Sequence, residues 1–254
     1  MIKRAGGMKT VARSVVKQLL RKAGHAYPCE DYLNKYVFGY HLAKLFKRLD
    51  IRCVIDVGGH QGGYGHFLRT DVGYSGLIIS FEPALENLSM LRKRAERDGN
   101  WMVLGLALGD EITRREMNVM KLSVFNSFLE PTDSAVSDFR LRNAVVQREM
   151  VEMQTLDAIF ERISKERGIE RPYLKIDTQG FDFRVLQGAQ RVLGKFLGVQ
   201  VEASVKPLYV GAVPFTEVFE YLRARGFELT GMFPVVRDEK LRLVEFDLVM
   251  ARGE

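Results

Sequence analysis

The sequence predicts a doubly wound α/β domain with a mostly parallel sheet and helices on both faces. Three observations carry this expectation. From Cys53 onward short apolar runs alternate with amphipathic stretches. The first run ends in a glycine cluster, and the last two runs are joined by a polar turn too short for a crossover helix. Strand–helix alternation implies parallel strands, whereas so short a connection implies an antiparallel pair. A length of 254 residues with 46% apolar residues suits one such domain and a short extension.

Taken in order, residues 8–23 place Val11, Val15, Leu19, Leu20 and Ala23 on one helical face and bases on the other. A second helix is expected over 32–49, with Leu33, Tyr36, Val37, Tyr40, Leu45 and Leu49 inward. Residues 53–57 read as a buried strand. Residues 77–81 read as a second, followed by a helix carrying Leu85, Leu88, Leu91 and Ala95 on one face. A third strand is expected at 103–108 and a fourth at 173–176, with a helix over 182–193 after it. A fifth strand at 197–201 precedes a helix at 216–225, which Gly226 is placed to end. The strands 227–233 and 243–250 flank the turn at 237–240. Residues 110–153 break the alternation and are expected to form an insertion over the active site. Residues 1–49 are thus expected to form a basic helical extension, and 50–254 the domain.

The net charge of +6 is local. The first 25 residues hold seven bases, from Lys3 to Lys22, and no acid, so the rest of the chain is at −1. A nucleic-acid surface on the domain itself loses its main support. The basic segment suits peripheral contact of residues 1–25 with an anionic membrane, or simply a solvated helix face. Cys29 and Cys53 cannot make a disulfide framework, and Cys53 is expected as a buried thiol. No apolar stretch approaches the ~18 residues of a membrane span. The N-terminus lacks the apolar region of a signal peptide, so the expected location is cytoplasmic.

The stretch 54–63 runs from an apolar strand through Asp56 into Gly58, Gly59, His60 and Gln61. A dinucleotide fingerprint needs glycines at relative positions one, three and six, and the spacing fails in every register. What remains is an acid at the strand end, which repels a pyrophosphate and suits a ligand with an ammonium and a sulfonium. S-adenosylmethionine is such a ligand. The second strand ends in Phe81, Glu82 and Pro83, and a carboxylate about 20 residues beyond a glycine loop suits ribose hydroxyls. The third ends in Ala107 to Asp110, which is expected to flank the adenine, with Asp110 near its amino group.

At the opposite end of the expected site, Asp177 closes the fourth strand and Glu202 the fifth. Such a pair suits a base for a substrate hydroxyl, or the ligands of a divalent metal. The four histidines show no zinc spacing, and no metal site is assigned to them. His60, inside the glycine loop, reads as a base or as a cap of the next helix.

These stretches, with Thr155-Leu156-Asp157, the run from Leu174 through Lys175, Asp177, Gln179 and Gly180 to Asp182, and Val185 to Ala189, resemble the FkbM family of methyltransferases over roughly residues 50–251. The resemblance implies a class I, Rossmann-like methyltransferase fold and O-methylation of a sugar, glycan or other natural-product hydroxyl. It points to Asp56, Gly58 and Glu82 for the cofactor and to Asp177 for the reaction centre. Two positions depart from it. The family often has Ala-Asn at Gly59-His60 and Glu at Gln179. If that Glu is the base in relatives, Asp182, Glu202 or His60 must replace it here. Two other readings stand beside this one: a nicotinamide oxidoreductase, and a non-catalytic cofactor-binding module docked through the basic helix. Acceptor specificity is expected in 110–153 and in the loop 204–214, with Lys206, Tyr209 and the adjoining Phe215.

Overall fold

The computed structural model describes residues 29–132 and 144–253. The amphipathic stretch at 8–23, and with it the question of membrane contact, lies outside the described residues. The chain divides into two compact units, Met1–Phe38 and Gly39–Glu254. Helix α1 (Cys29–Leu49) begins in the first and ends in the second. Its inward face agrees with the expected one only in part: Leu45 is buried as expected, but Leu33, Tyr36, Val37 and Tyr40 are exposed, and Leu42 and Phe46 are buried beside Leu45. The anchor is Phe46, whose ring meets those of Tyr74 and Tyr173 edge-on at 5.3 and 4.7 Å.

The larger unit is built on a seven-stranded sheet. Its strands are β1 (Cys53–Val57), β2 (Leu77–Phe81), β3 (Trp101–Leu104), β7 (Pro172–Ile176), β8 (Gly198–Ser204), β9 (Phe227–Arg237) and β10 (Leu243–Arg252). Their order is β3-β2-β1-β7-β8-β10-β9. The first five are mutually parallel; β10 runs antiparallel between β8 and β9. This is the mostly parallel, doubly wound sheet that the sequence predicts, and the antiparallel end follows from the short polar turn between β9 and β10. Strands β1 and β7 sit at the centre and every residue of both is buried, which is why they read as continuous apolar runs rather than alternating ones.

The helices cover both faces. Helix α2 (Gly63–Phe67) passes into a π-helical turn at Leu68–Val72 that Gly73 ends. Helix α3 (Leu85–Asp98) buries Leu88, Leu91 and Ala95. Helix α4 (Leu156–Arg167) is capped by the Thr155 hydroxyl, which accepts the Ala158 N–H. Helix α5 (Asp182–Gln187) is shorter than expected, the chain turning again at Leu193–Lys195. Helix α6 (Phe215–Arg223) buries Val218 and Leu222. Among the described residues no helix is long and apolar enough to cross a membrane.

The expected third strand divides in two. Trp101–Leu104 stays in the main sheet, while β4 (Ala107–Leu108) joins a second sheet of order β4-β6-β5 with β5 (Thr113–Met120) and β6 (Val145–Gln154). Residues 110–153 therefore contain a β-ribbon of their own. Met117, Val151 and Met153 attach it to the main apolar core.

Strands β1, β2 and β3 step outward in one direction and β7 and β8 in the other. The order reverses between β1 and β7, and a crevice opens beyond their carboxyl ends.

Candidate active site

Register places the site residues. Val57 pairs with Phe81 on one side and with Ile176 on the other, and Ile176 pairs with Val201. Gly58, Glu82, Asp177 and Glu202 therefore follow in one row at the sheet's carboxyl edge. A cleft of about 630 Å³, counting its open mouth, lies over this row. Of the residues singled out in the sequence, Gly58, His60, Phe81, Glu82, Pro83, Ala107 and Asp177 line it.

Gly58 turns the chain at φ 79°, and a Cβ there would collide with the carbonyl oxygen of Asp177. Gly58→Ala is expected to cost about 1–3 kcal/mol through the left-handed backbone alone and to push the loop off Asp177. Calorimetry with S-adenosylhomocysteine and a thermal melt check this, and unchanged affinity would refute it.

Glu82 is 5% exposed and organises the loop. One carboxylate oxygen accepts the His60 N–H at 2.7 Å and the other the Ala84 N–H at 2.9 Å. Burial pushes its pKa up to about 7, against the pull of these hydrogen bonds. The His60 backbone is left-handed, and its ring Nε2 lies 2.9 Å from Ser123 Oγ, in the segment between β5 and β6. Burial lowers the His60 pKa, so the imidazole is neutral near pH 7.

Five residues expected at the site do not line the cleft. Asp56 is fully buried one row below the cleft. Successive strand residues face opposite sides of the sheet, so Asp56 points to the face opposite Val57. There Ser80, Asp56, Lys175 and Gln200 form a polar row across four strands in register. Ser80 Oγ donates to Asp56 Oδ2 at 2.6 Å and Trp101 Nε1 donates to Ser80 Oγ at 2.9 Å. Lys175 Nζ lies 3.0 Å from Asp56 Oδ1, which has no other partner among the described residues. Gly59 packs against Ser80 and Leu91, where a Cβ would come within 2.9 and 3.0 Å. Gln61 donates to Asn87, which lines the cleft, but does not line it itself. Asp110 pairs with Arg184 at 2.9 Å and faces a different cavity. Glu202 is cut off by Gln179, whose amide nitrogen lies 2.7 Å from Glu202 Oε2. Burial, then the charges of Asp177 and Glu245, hold the Glu202 pKa well above the usual range.

The same Gln179 amide lies 3.2 Å from Asp177 Oδ1, so its N–H groups fill the place a cation would take between the two carboxylates. Among the described residues no group of three or more His, Cys, Asp or Glu is placed to hold a metal ion. Asp182 is turned away as well: its carboxylate accepts the Thr178 and Gly180 N–H groups at 2.8 and 3.0 Å and orders the loop after β7. Burial brings its pKa to about 6.

Two features escaped the sequence reading. Lys175 is 3% exposed, and its ammonium reaches Asp56, the Gly58 carbonyl at 3.0 Å and Asp177 Oδ2 at 3.5 Å. Burial opposes its charge, and Asp56 and Asp177 more than reverse that, so its pKa is raised. A lysine inside an otherwise apolar strand was the available signal. The second feature is the roof: Met117, Ser123, Asn126, Ser127 and Phe128 line the cleft from the insertion. Ser127 Oγ donates to the Gln179 carbonyl at 2.7 Å. The Tyr209 hydroxyl lies 2.9 Å from Gln179 Oε1 and 3.2 Å from the Phe125 carbonyl, with one proton to share. Tyr209 is thus a buried strut, Lys206 sits 3.9 Å from Asp238, and Phe215 packs edge-on against Phe246 at 5.4 Å. None of these three lines the cleft.

No curated protein sequence matches the chain. Several solved structures resemble it in fold. An O-methyltransferase from Bacillus cereus, solved with S-adenosylhomocysteine, is 13% identical, with 99% of this chain and 93% of that one covered and a TM-score of 0.47. Fibrillarin from Aeropyrum pernix, solved with S-adenosylmethionine, is 11% identical, with 80% and 66% covered and a TM-score of 0.42. An uncharacterised protein from Listeria monocytogenes serotype 4b is 11% identical at a TM-score of 0.43; 80% of this chain is covered, which spans 62% of that one. The model of the methyltransferase FkbM domain matches residues 56–229, from within β1 into β9 and across the whole cleft, and the chain belongs to the FkbM family of S-adenosylmethionine-dependent methyltransferases.

Proposed function

We propose that this protein methylates a hydroxyl of a sugar, glycan or other natural product, with Asp177 as the base. The observation that carries this reading is the charge pattern of the cleft. Its ionisable lining groups are Glu82, Asp177 and the neutral His60, with no lysine or arginine among them. Such a lining suits a sulfonium and an ammonium. It disfavours the pyrophosphate of a nicotinamide dinucleotide, which would meet carboxylates at the lining while the nearby Lys175 ammonium is already shared between Asp56 and Asp177.

The remaining lining fits S-adenosylmethionine in parts. Phe81, Ala107, Leu108 and Met117 give an apolar slot for the adenine. Glu82 has lone pairs left for the ribose hydroxyls. The bound cofactor supplies a methyl group on a sulfonium, and this chain's residues orient and deprotonate the acceptor. Asp177, with 36% of its side chain exposed, accepts the hydroxyl proton, while Lys175 and Gln179 hold its two oxygens in place. The roof from Ser123 to Phe128 covers the reacting groups and limits water.

Calorimetric titration with S-adenosylmethionine, S-adenosylhomocysteine and NAD tests the reading. Binding of the first two, lost in Glu82→Ala, is expected; binding of NAD alone would overturn it. A pH series adds a sign. Ribose hydroxyls donate to the ionised carboxylate, and Glu82 is ionised mainly above pH 7. Affinity is therefore expected to fall as pH drops from 8 to 6, by at most about tenfold per unit for one proton. Glu82→Gln is expected to bind weakly and without this slope. A slope that survives in Glu82→Gln would assign the titration to another group.

A further inference from the structure

Beside the cleft lies a second cavity of about 1060 Å³, counting its open mouth. A thin partition separates them. Phe128 and Gln179 line the cleft, and their chain neighbours Leu129 and Gly180 line the second cavity. Its walls come from the insertion, from the loop after β7 and the helix α5 that follows it, and from the loop after β8.

The chemistry of the walls is specific. The Arg115 guanidinium lies 5.4 Å from the centre of the Phe181 ring and 5.9 Å from that of Phe128. Stacking of this kind orients the fork at little entropic cost. Arg115 makes no hydrogen bond among the described residues, and its nearest carboxylate oxygen, on Glu111, is 3.8 Å away. Arg184 uses one nitrogen on Asp110 at 2.9 Å and keeps its other N–H groups. Gln187 has no side-chain partner among the described residues. The cavity thus presents two guanidinium groups, two carboxylates and a carboxamide, with the Phe183 ring beside them.

That balance selects a ligand class. An oxyanion would meet as many carboxylates as guanidinium groups. An apolar ligand would strip water from five polar groups and return no hydrogen bond. A hydroxyl both donates and accepts, so a ring carrying several can pair with both kinds of group while its C–H face rests on a phenyl ring.

We propose that this cavity is a second acceptor subsite which binds a neutral sugar ring, the neighbour of the ring whose hydroxyl enters the cleft. The acceptor is then at least two rings long. The link to an acceptor rests on the methyl-transfer reading; the existence of a sugar site does not.

The test is saturation-transfer NMR on the full chain with maltose, cellobiose and lactose, alongside phosphorus line widths of inorganic phosphate. Arg115→Ala and Gln187→Ala are compared with the wild type, and S-adenosylhomocysteine affinity is measured on the same samples. The expected result is saturation transfer to at least one disaccharide and binding about tenfold weaker in Arg115→Ala, the usual effect of losing a charged hydrogen bond. A smaller loss is expected in Gln187→Ala, with S-adenosylhomocysteine affinity unchanged in both. Absence of transfer to all three disaccharides, transfer that both variants preserve, or phosphate broadening that Arg115→Ala abolishes would each overturn the sugar site. Failure of the wild type to bind S-adenosylhomocysteine would instead sink the methyl-transfer reading and leave an Arg115-dependent sugar signal standing.

Discussion

Asp177→Asn is expected to lower turnover by roughly 10²–10⁴-fold, the usual contribution of a positioned base, while S-adenosylmethionine still binds. The carboxamide keeps the shape and can still meet the Gln179 side chain, yet it cannot take a proton from the acceptor. Asp177 lines the cleft and is held only by the longer side-chain contacts to Gln179 at 3.2 Å and Lys175 at 3.5 Å, whereas its neighbours are occupied: Glu82 holds His60 and Ala84, Asp182 holds Thr178 and Gly180, and Glu202 lies behind Gln179. Release of S-adenosylhomocysteine with an acceptor active in the wild type, read beside calorimetric affinity, separates the outcomes. Turnover within a few-fold of wild type would show that positioning alone drives transfer. Loss of cofactor binding would make Asp177 part of the cofactor site instead.

Lys175→Met is expected to destabilise the fold by about 3–5 kcal/mol, because it leaves a buried carboxylate without its counter-ion. At ~2–4 °C per kcal/mol for a domain of this size, the melting temperature should drop by on the order of 10 °C. Asp56 is 0% exposed, and among the described residues the ammonium is the only partner of its Oδ1. The same ammonium holds the Gly58 carbonyl, so any folded fraction should also bind S-adenosylhomocysteine weakly. Adding Asp56→Asn to Lys175→Met removes the stranded charge and is expected to restore much of the lost stability. A double variant as unstable as the sum of the two single ones would show that the pair is not coupled.

The order of strands and helices was legible along the chain because each element obeys local rules. Strands β1 and β7 are apolar runs, α3 carries Leu88, Leu91 and Ala95 at helical spacing, and the short turn before β10 forces an antiparallel pair. The candidate site was legible where position along a strand suffices, as for Gly58, Glu82 and Asp177, which follow the last residues of β1, β2 and β7. It failed where the direction of a side chain decides. Asp56 and Asp177 both stand at the ends of central strands, yet one belongs to a buried row and the other to the cleft. Glu202 reads as a partner of Asp177 until Gln179 comes between them. The division of the third strand, and the roof from Ser123 to Phe128, depend on pairing with β6 and on contact with residue 179, far along the chain.

The sequence by itself determined the fold class, the family, the parallel sheet with its antiparallel end, and the strand ends at which the chemistry gathers, since all of these follow from periodicity and from short motifs read between near neighbours. Only the tertiary structure decided which acids face the ligand, what Lys175 pairs with, and that the insertion and the loop after β8 enclose a second cavity. Those outcomes depend on register across strands and on contacts between residues distant in sequence, and neither exists until the chain is folded.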